Sequence, residues 1–141
     1  MDQPEKLLAA FDFAEVMAEK EKEHGEQMRS LLLSFLEIMD SFDRFFAHLG
    51  EEPEAAAEAN WLNTVRLIRK QVELALQKAG VTPIAGLGLA ADPHLHEIVD
   101  TKETTDMEEG IIVEEVRRGY LWKDSLLRSS QVVIAKVPRE V

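Results

Sequence analysis

The sequence predicts an α+β chain: a long N-terminal helix that pairs as a coiled coil, a second helix completing a dimeric four-helix bundle, and a small C-terminal all-β domain. Three observations predict it. Apolar residues recur at alternating steps of three and four from Leu7 to Leu49 without a slip. A second helical face, from Trp61 to Ala79, is bracketed by Pro53 and Gly80. From His96 onward the pattern shortens into β-rich runs separated by turn residues.

The first helix rests on a seam of Leu7, Ala10, Ala14, Met17, Glu21, His24, Met28, Leu31, Phe35, Ile38, Phe42, Phe45 and Leu49. Only Glu21 and His24 in it are polar. A mean step of 3.5 residues keeps one stripe facing a partner helix along its length. The 43 residues from Leu7 to Leu49 would extend about 64 Å as a helix, against roughly 37 Å across a compact chain of this size. Part of the seam must therefore be covered by a second copy, and a homodimer is expected. Glu21 and His24 beside Gly25 mark either a register or thermal weak point or a frayed, solvated coil. Leu32, Met39 and Phe46 flank the seam toward its C-terminal end and widen it to the stripe of a bundle helix.

Gly50, Glu51, Glu52 and Pro53 predict a break, since Gly suits a left-handed cap and Pro cannot extend the preceding helix. A second helix follows from about Glu54 to Ala79, with Trp61, Val65, Ile68, Val72, Leu76 and Ala79 on one face and Gly80 ending it. A short connection makes the two helices antiparallel neighbours, and two such hairpins make the bundle. Dimerisation is expected through Met28, Leu31, Phe35, Ile38, Phe42 and Phe45 of the first helix and Trp61, Val65, Ile68 and Val72 of the second. The organisation is thus a helical part over 1–82 and a linker with a small β domain over 83–141. Within the latter, 84–93 read as a loop, HEIV, GIIVEEV, GYLW, LLR and QVVIAKV as strands, and Lys123-Asp124-Ser125 as a tight turn.

Composition excludes several functions. The chain has no Cys, so it offers no disulfide, thiolate metal site or cysteine nucleophile. Against 27 Asp and Glu stand 16 scattered Lys and Arg, a net charge of −11. That balance disfavours nucleic acid or a membrane surface and leaves another protein as the partner. The N-terminus lacks a basic segment before an unbroken apolar core, and no window approaches the ~18 apolar residues of a membrane span. A soluble cytoplasmic protein is expected. Asp92, His94, His96 and Glu97 have the types of metal ligands, and residues two apart on a strand share a face. No further His lies nearby, and HEIVD ends in Asp100 where a zincin helix has His. A turn or capping role for Asp92 and a buried, hydrogen-bonded His96 are expected instead. Gly86-Leu87-Gly88 lacks the third Gly and the Lys-Ser/Thr of a phosphate loop, and no nucleophile elbow is present. No enzyme activity, metal or cofactor is expected.

Together these pieces resemble the GrpE family, the nucleotide exchange factors of the DnaK chaperone. The resemblance covers about residues 35–137. Its helical part is LEIMDSFDRF, with Asp40, Asp43 and Arg44 at matching positions. KAGVTPI is similar to the family's exit from the bundle, and Asp92-Pro93 with His96-Glu97 to its approach to the β domain. The most specific stretch is GIIVEEVRRGYLWKDSLLRSSQVVIAKV, in which Gly110, Val116, Gly119, Tyr120, Leu127, Arg128, Val132, Ala135 and Lys136 fall where the C-terminal motif expects them. Two departures stand out: a shorter N-terminal extension, and Lys123-Asp124-Ser125 where a member often has Asn-Gly-Arg.

The resemblance implies a parallel homodimer with two β wings, one of which grips the ATPase domain of a DnaK-type chaperone and promotes ADP release by holding its cleft open. It implies chaperone contacts at Val116, Gly119, Tyr120, Arg128 and Ile134 of the wing and at Asp40, Asp43 and Arg44 of the helix. For each, a plainer role stands beside it. Asp40 and Arg44 could form one weak pair on an exposed helical face. Gly119 before an aromatic fits a bulge or bend where backbone passes closely, and Tyr120, Val116 and Ile134 could be core. Arg128 is a charge anchor or a solvated strand end. The alternative function is a dimeric coiled-coil scaffold without exchange activity.

Overall fold

The computed structural model describes residues 3–49 and 60–139. Helix α1 runs unbroken over Gln3–Leu49, as the seam requires, and α2 over Asn60–Lys78. The expected break at Gly50 to Pro53 and the helix start near Glu54 lie outside the described residues. Six strands follow among the described residues: β1 Val81–Pro83, β2 His96–Glu103, β3 Ile112–Arg117, β4 Tyr120–Trp122, β5 Ser125–Arg128 and β6 Ser130–Lys136. The fold is α+β. The chain divides into two compact units, 1–35 and 36–141.

In the first unit the apolar side chains of Leu7, Leu8, Phe11 and Phe13 are exposed, as are Met17, Met28 and Leu31. In the second unit the buried positions of α1 are Leu36 and Met39, not the seam residues Ile38, Phe42 and Phe45. Ile38 is exposed and Phe42 and Phe45 are half-buried. The helix thus carries two adjacent stripes. One is used within the chain and the other is left over, because a 3.6-residue turn rotates Leu36 and Met39 away from Phe35 and Ile38. On α2 the same division holds: Leu62 and Leu76 are buried, while Trp61 and Ile68 are exposed and Val65 and Val72 half-buried. The Phe45 ring meets those of Phe46 and Trp61 edge-on at 5.4 and 6.0 Å between centroids.

α2 ends where Gly80 turns into the left-handed region at φ 90°, its N–H donating to the Gln77 carbonyl. The chain then enters β1, a strand that the sequence does not predict, across the expected boundary between the helical part and the linker. Pro83 is tolerated there because β1 is an edge strand. Two three-stranded sheets result, ordered β1-β4-β5, all antiparallel, and β2-β6-β3, in which β6 is parallel to β2 and antiparallel to β3. Their core is Ile112, Val132, Ala135, Leu127 and Tyr120, with Val81 and Ile84 beneath.

The β4–β5 loop is the two residues Lys123 and Asp124, at φ 48° and 67°. Positive φ at both positions is what a type I′ hairpin demands, and Gly or Asn ordinarily supplies it. Replacing Asp124 with Gly relieves one of these strained residues and should raise stability by about 0.5 kcal/mol. The urea midpoint reads it; a fall would mean that the Asp124 side chain itself holds the turn.

Candidate functional site

Among the described residues the chain passes between the two sheets three times, and two of these crossings lie side by side. Arg118-Gly119 carries the chain from β3 to β4, and Ser129 carries it back from β5 to β6. A Cβ on Gly119 would overlap the main-chain nitrogen of Ser130 and would stand 2.6 Å from Ser129 C and 2.7 Å from Arg128 O. Only glycine fits, for want of space rather than for its φ. Its N–H donates to Ser130 Oγ at 2.9 Å, its carbonyl accepts from Ile84 N at 3.0 Å, and Ser130 N donates to Leu95 O at 3.0 Å. This waist is the close approach that the Gly-aromatic pair predicted. Tyr120, next in sequence, is core, and burial pushes its phenol above the ordinary value; the Arg118 charge pulls the other way.

Arg128 sits at the waist and is neither a solvated strand end nor free. Its Nε donates to the Arg118 carbonyl at 2.8 Å, and its two terminal nitrogens donate to both oxygens of Asp40 on α1, at 2.8 and 2.5 Å. The two side chains are 8% and 17% exposed. The guanidinium also lies 5.5 Å from the Tyr120 ring centroid. Arg117 adds a longer ion pair to Asp40 at 3.6 Å. The local Asp40–Arg44 pair is therefore not the one Asp40 makes; Arg44 is exposed and donates to Ser41 Oγ. One turn on, Asp43 accepts from Arg69 of α2 at 2.8 Å, and that guanidinium stacks on Phe46 at 5.3 Å. Asp40 and Asp43 thus hold different elements, the β domain and α2.

Of the remaining expected contact residues, Val116 is 55% exposed and Ile134 half-buried. The register of β3 against β6 slips between Glu115 and Arg117, which makes Val116 the extra residue of a bulge. A bulge turns a side chain out of the alternation, and so an apolar residue on a strand faces solvent. Val116 lines an open cleft of about 1090 Å³ between α1 and β3, with Glu37, Asp43 and Arg44 opposite Glu115 and Arg117. Ser130, Arg69 and Arg117 were missed by the sequence reading. In the sequence nothing distinguishes Ser130 from Ser129 beside it, or the two arginines from their neighbours.

His94 lies in the turn before β2, so the strand argument for a shared face with His96 does not apply. Its N–H donates to Asp92 Oδ1, an Asx-type turn. His96 is buried: Nδ1 accepts from Asp92 N and Nε2 donates to the Ala85 carbonyl, each at 2.9 Å. That uses both ring nitrogens on main chain. Among the described residues no three His, Asp or Glu gather to hold a metal, and no helix is long and apolar enough to cross a membrane.

Known proteins share this arrangement of sequence. The family model described as GrpE matches residues 3–136. Protein GrpE of Trichormus variabilis is 34% identical over 137 residues, 96% of this chain and 54% of the relative. Protein GrpE of Halalkalibacterium halodurans is 35% identical over 116 residues, 82% and 58% of the two chains. Protein GrpE of Chlamydia felis is 31% identical over 137 residues, 94% and 71%. The chain spans about half the length of the first of these relatives. With a match that runs through α1, α2 and the strands from β1 to β6, the chain belongs to the GrpE family.

Proposed function

We propose that the chain acts as a homodimeric co-chaperone, a nucleotide exchange factor that promotes ADP release from a DnaK-type chaperone without chemistry of its own. One observation carries the reading: the family match covers the helices and the β wing together, from residue 3 to 136. A wing that fits the open ATPase cleft better than the closed one shifts the chaperone toward the open state, and by reciprocity ADP weakens wing binding by the same factor. Val116, Ile134 and Arg44 have surface to give to such a partner. Gly119, Tyr120, Asp40, Asp43 and Arg128 belong to the same region as its frame. The dimer is supported by the uncovered seam, in which Leu31, Phe35 and Ile38 are 52%, 41% and 45% exposed in the single chain. A cytoplasmic protein with no nucleic acid, membrane or cofactor partner completes the reading.

Stopped-flow release of a fluorescent ADP analogue from a DnaK-type chaperone tests it. Acceleration that saturates with concentration of this chain is expected. A folded dimer that accelerates nothing would sink the exchange reading in favour of a scaffold. That second reading is favoured by Lys123-Asp124-Ser125, which leaves an exposed serine where members often present a basic residue.

A further inference from the structure

We infer that Asp40 is a positioning residue: with Arg128 it forms a latch that fixes the β wing on α1, so that the exposed wing residues and the helix reach a partner as one rigid surface. The inference deepens the proposed function and rests on it for the activity arm of its test.

Three features carry it. The contact is two-toothed, with Arg128 Nη1 and Nη2 on Asp40 Oδ2 and Oδ1, a geometry that fixes orientation as well as distance. The same guanidinium is held on the wing side by the Arg118 carbonyl and the Tyr120 ring, so the fork cannot swing without disturbing the waist. Both side chains are largely withdrawn from solvent, which leaves Arg128 little surface for a partner. Arg117 of β3 reaches Asp40 at 3.6 Å, and Glu37, Asp43, Arg44, Glu115 and Arg118 line the same cleft as Asp40. Asp43 is itself taken by Arg69. A buried pair of this kind adds little net stability over an apolar pair of the same shape, and what it supplies is one defined arrangement.

The consequence is pre-organisation. A wing that wanders on its helix presents the binding-competent arrangement only part of the time, and apparent affinity falls by that fraction while the bound state is unchanged. Asp40→Asn should therefore raise the concentration for half-maximal ADP release by roughly tenfold with the maximal rate nearly preserved. A residue touching the partner directly would behave differently in combination. Arg128→Gln should add nothing further in the Asp40→Asn background if the two act through each other.

The experiment pairs that double-mutant cycle with a distance measurement that needs no chaperone. The chain has no Cys, so Ala47→Cys and Ser125→Cys, both exposed, accept spin labels in the whole 141-residue chain diluted with unlabelled chain. Pulsed dipolar spectroscopy should give one narrow distance, broadened by Asp40→Asn. Arg128→Lys, which keeps the charge but loses the fork, should broaden it as well and serves if Asp40→Asn does not fold. Unchanged widths in both variants, or a further loss of affinity from Arg128→Gln in the Asp40→Asn background, would overturn the latch. Broadening in a protein that never accelerated ADP release would retain the latch and reject the exchange reading.

Discussion

Gly119→Ala is expected to destabilise the β wing by about 3 kcal/mol, the upper end of what overpacking costs. The obstacles to the new methyl are the main-chain atoms of Arg128, Ser129 and Ser130, and no side chain can turn aside to admit it. Moving either crossing would break the Gly119–Ser130 bond or the Ile84–Gly119 bond, each buried at the waist. Amide hydrogen exchange of β6 against urea is the suitable measurement, because it reads the wing separately from the helices. Loss of protection in β6 at low urea is the expected result; protection equal to that of the unchanged chain would show that the close approach is not a constraint.

Placing glutamate at both Phe35 and Ile38 should convert the proposed dimer to monomer. Burying a large apolar side chain contributes about 1.5–3 kcal/mol, and two positions on each of two chains are affected. The dissociation constant should rise by about three orders of magnitude or more, at about 1.4 kcal/mol per decade. Neither side chain is fully covered within the chain, at 41% and 45% exposed, so the wing and its waist should keep their fold. Sedimentation equilibrium over a range of concentrations decides it. A variant that remains dimeric would place the interface elsewhere than on the seam.

Much of this architecture was legible because it is local. A 3-4 spacing fixes the direction of a stripe on a helix, Gly80 suits the left-handed cap, and the polar Lys123-Asp124-Ser125 between β-rich runs marks a hairpin, although Ser125 already belongs to β5. Gly119 and His96 were legible for a related reason: a glycine before an aromatic and a histidine in an apolar approach each have few inexpensive solutions. What stayed hidden was long-range. Asp40 and Arg128 are 88 residues apart, and in sequence Arg44, one turn away, pairs with Asp40 equally well. The choice between Leu36–Met39 and Phe35–Ile38 as the face used within the chain depends on where the wing lands, which periodicity does not contain. The strand Val81–Pro83 was missed because three residues ending in proline carry no strand signal until an edge pairs with them.

The order of strands also bears on how the wing comes into being. β6, from Ser130 to Lys136, is the middle of its sheet, so β2 and β3 have no bond to each other and wait for it. During synthesis the helices can form as they emerge, whereas the second sheet cannot close until its last strand has left the ribosome, and its parallel pairing with β2 closes a long loop. Until then Ile112 and its neighbours lack their cover. A chain that stops short of Ser130, by premature termination or by proteolysis, would keep its helices and the seam, and could dimerise with intact copies while contributing no complete wing. Such fragments would be expected to poison the intact protein in proportion to their number.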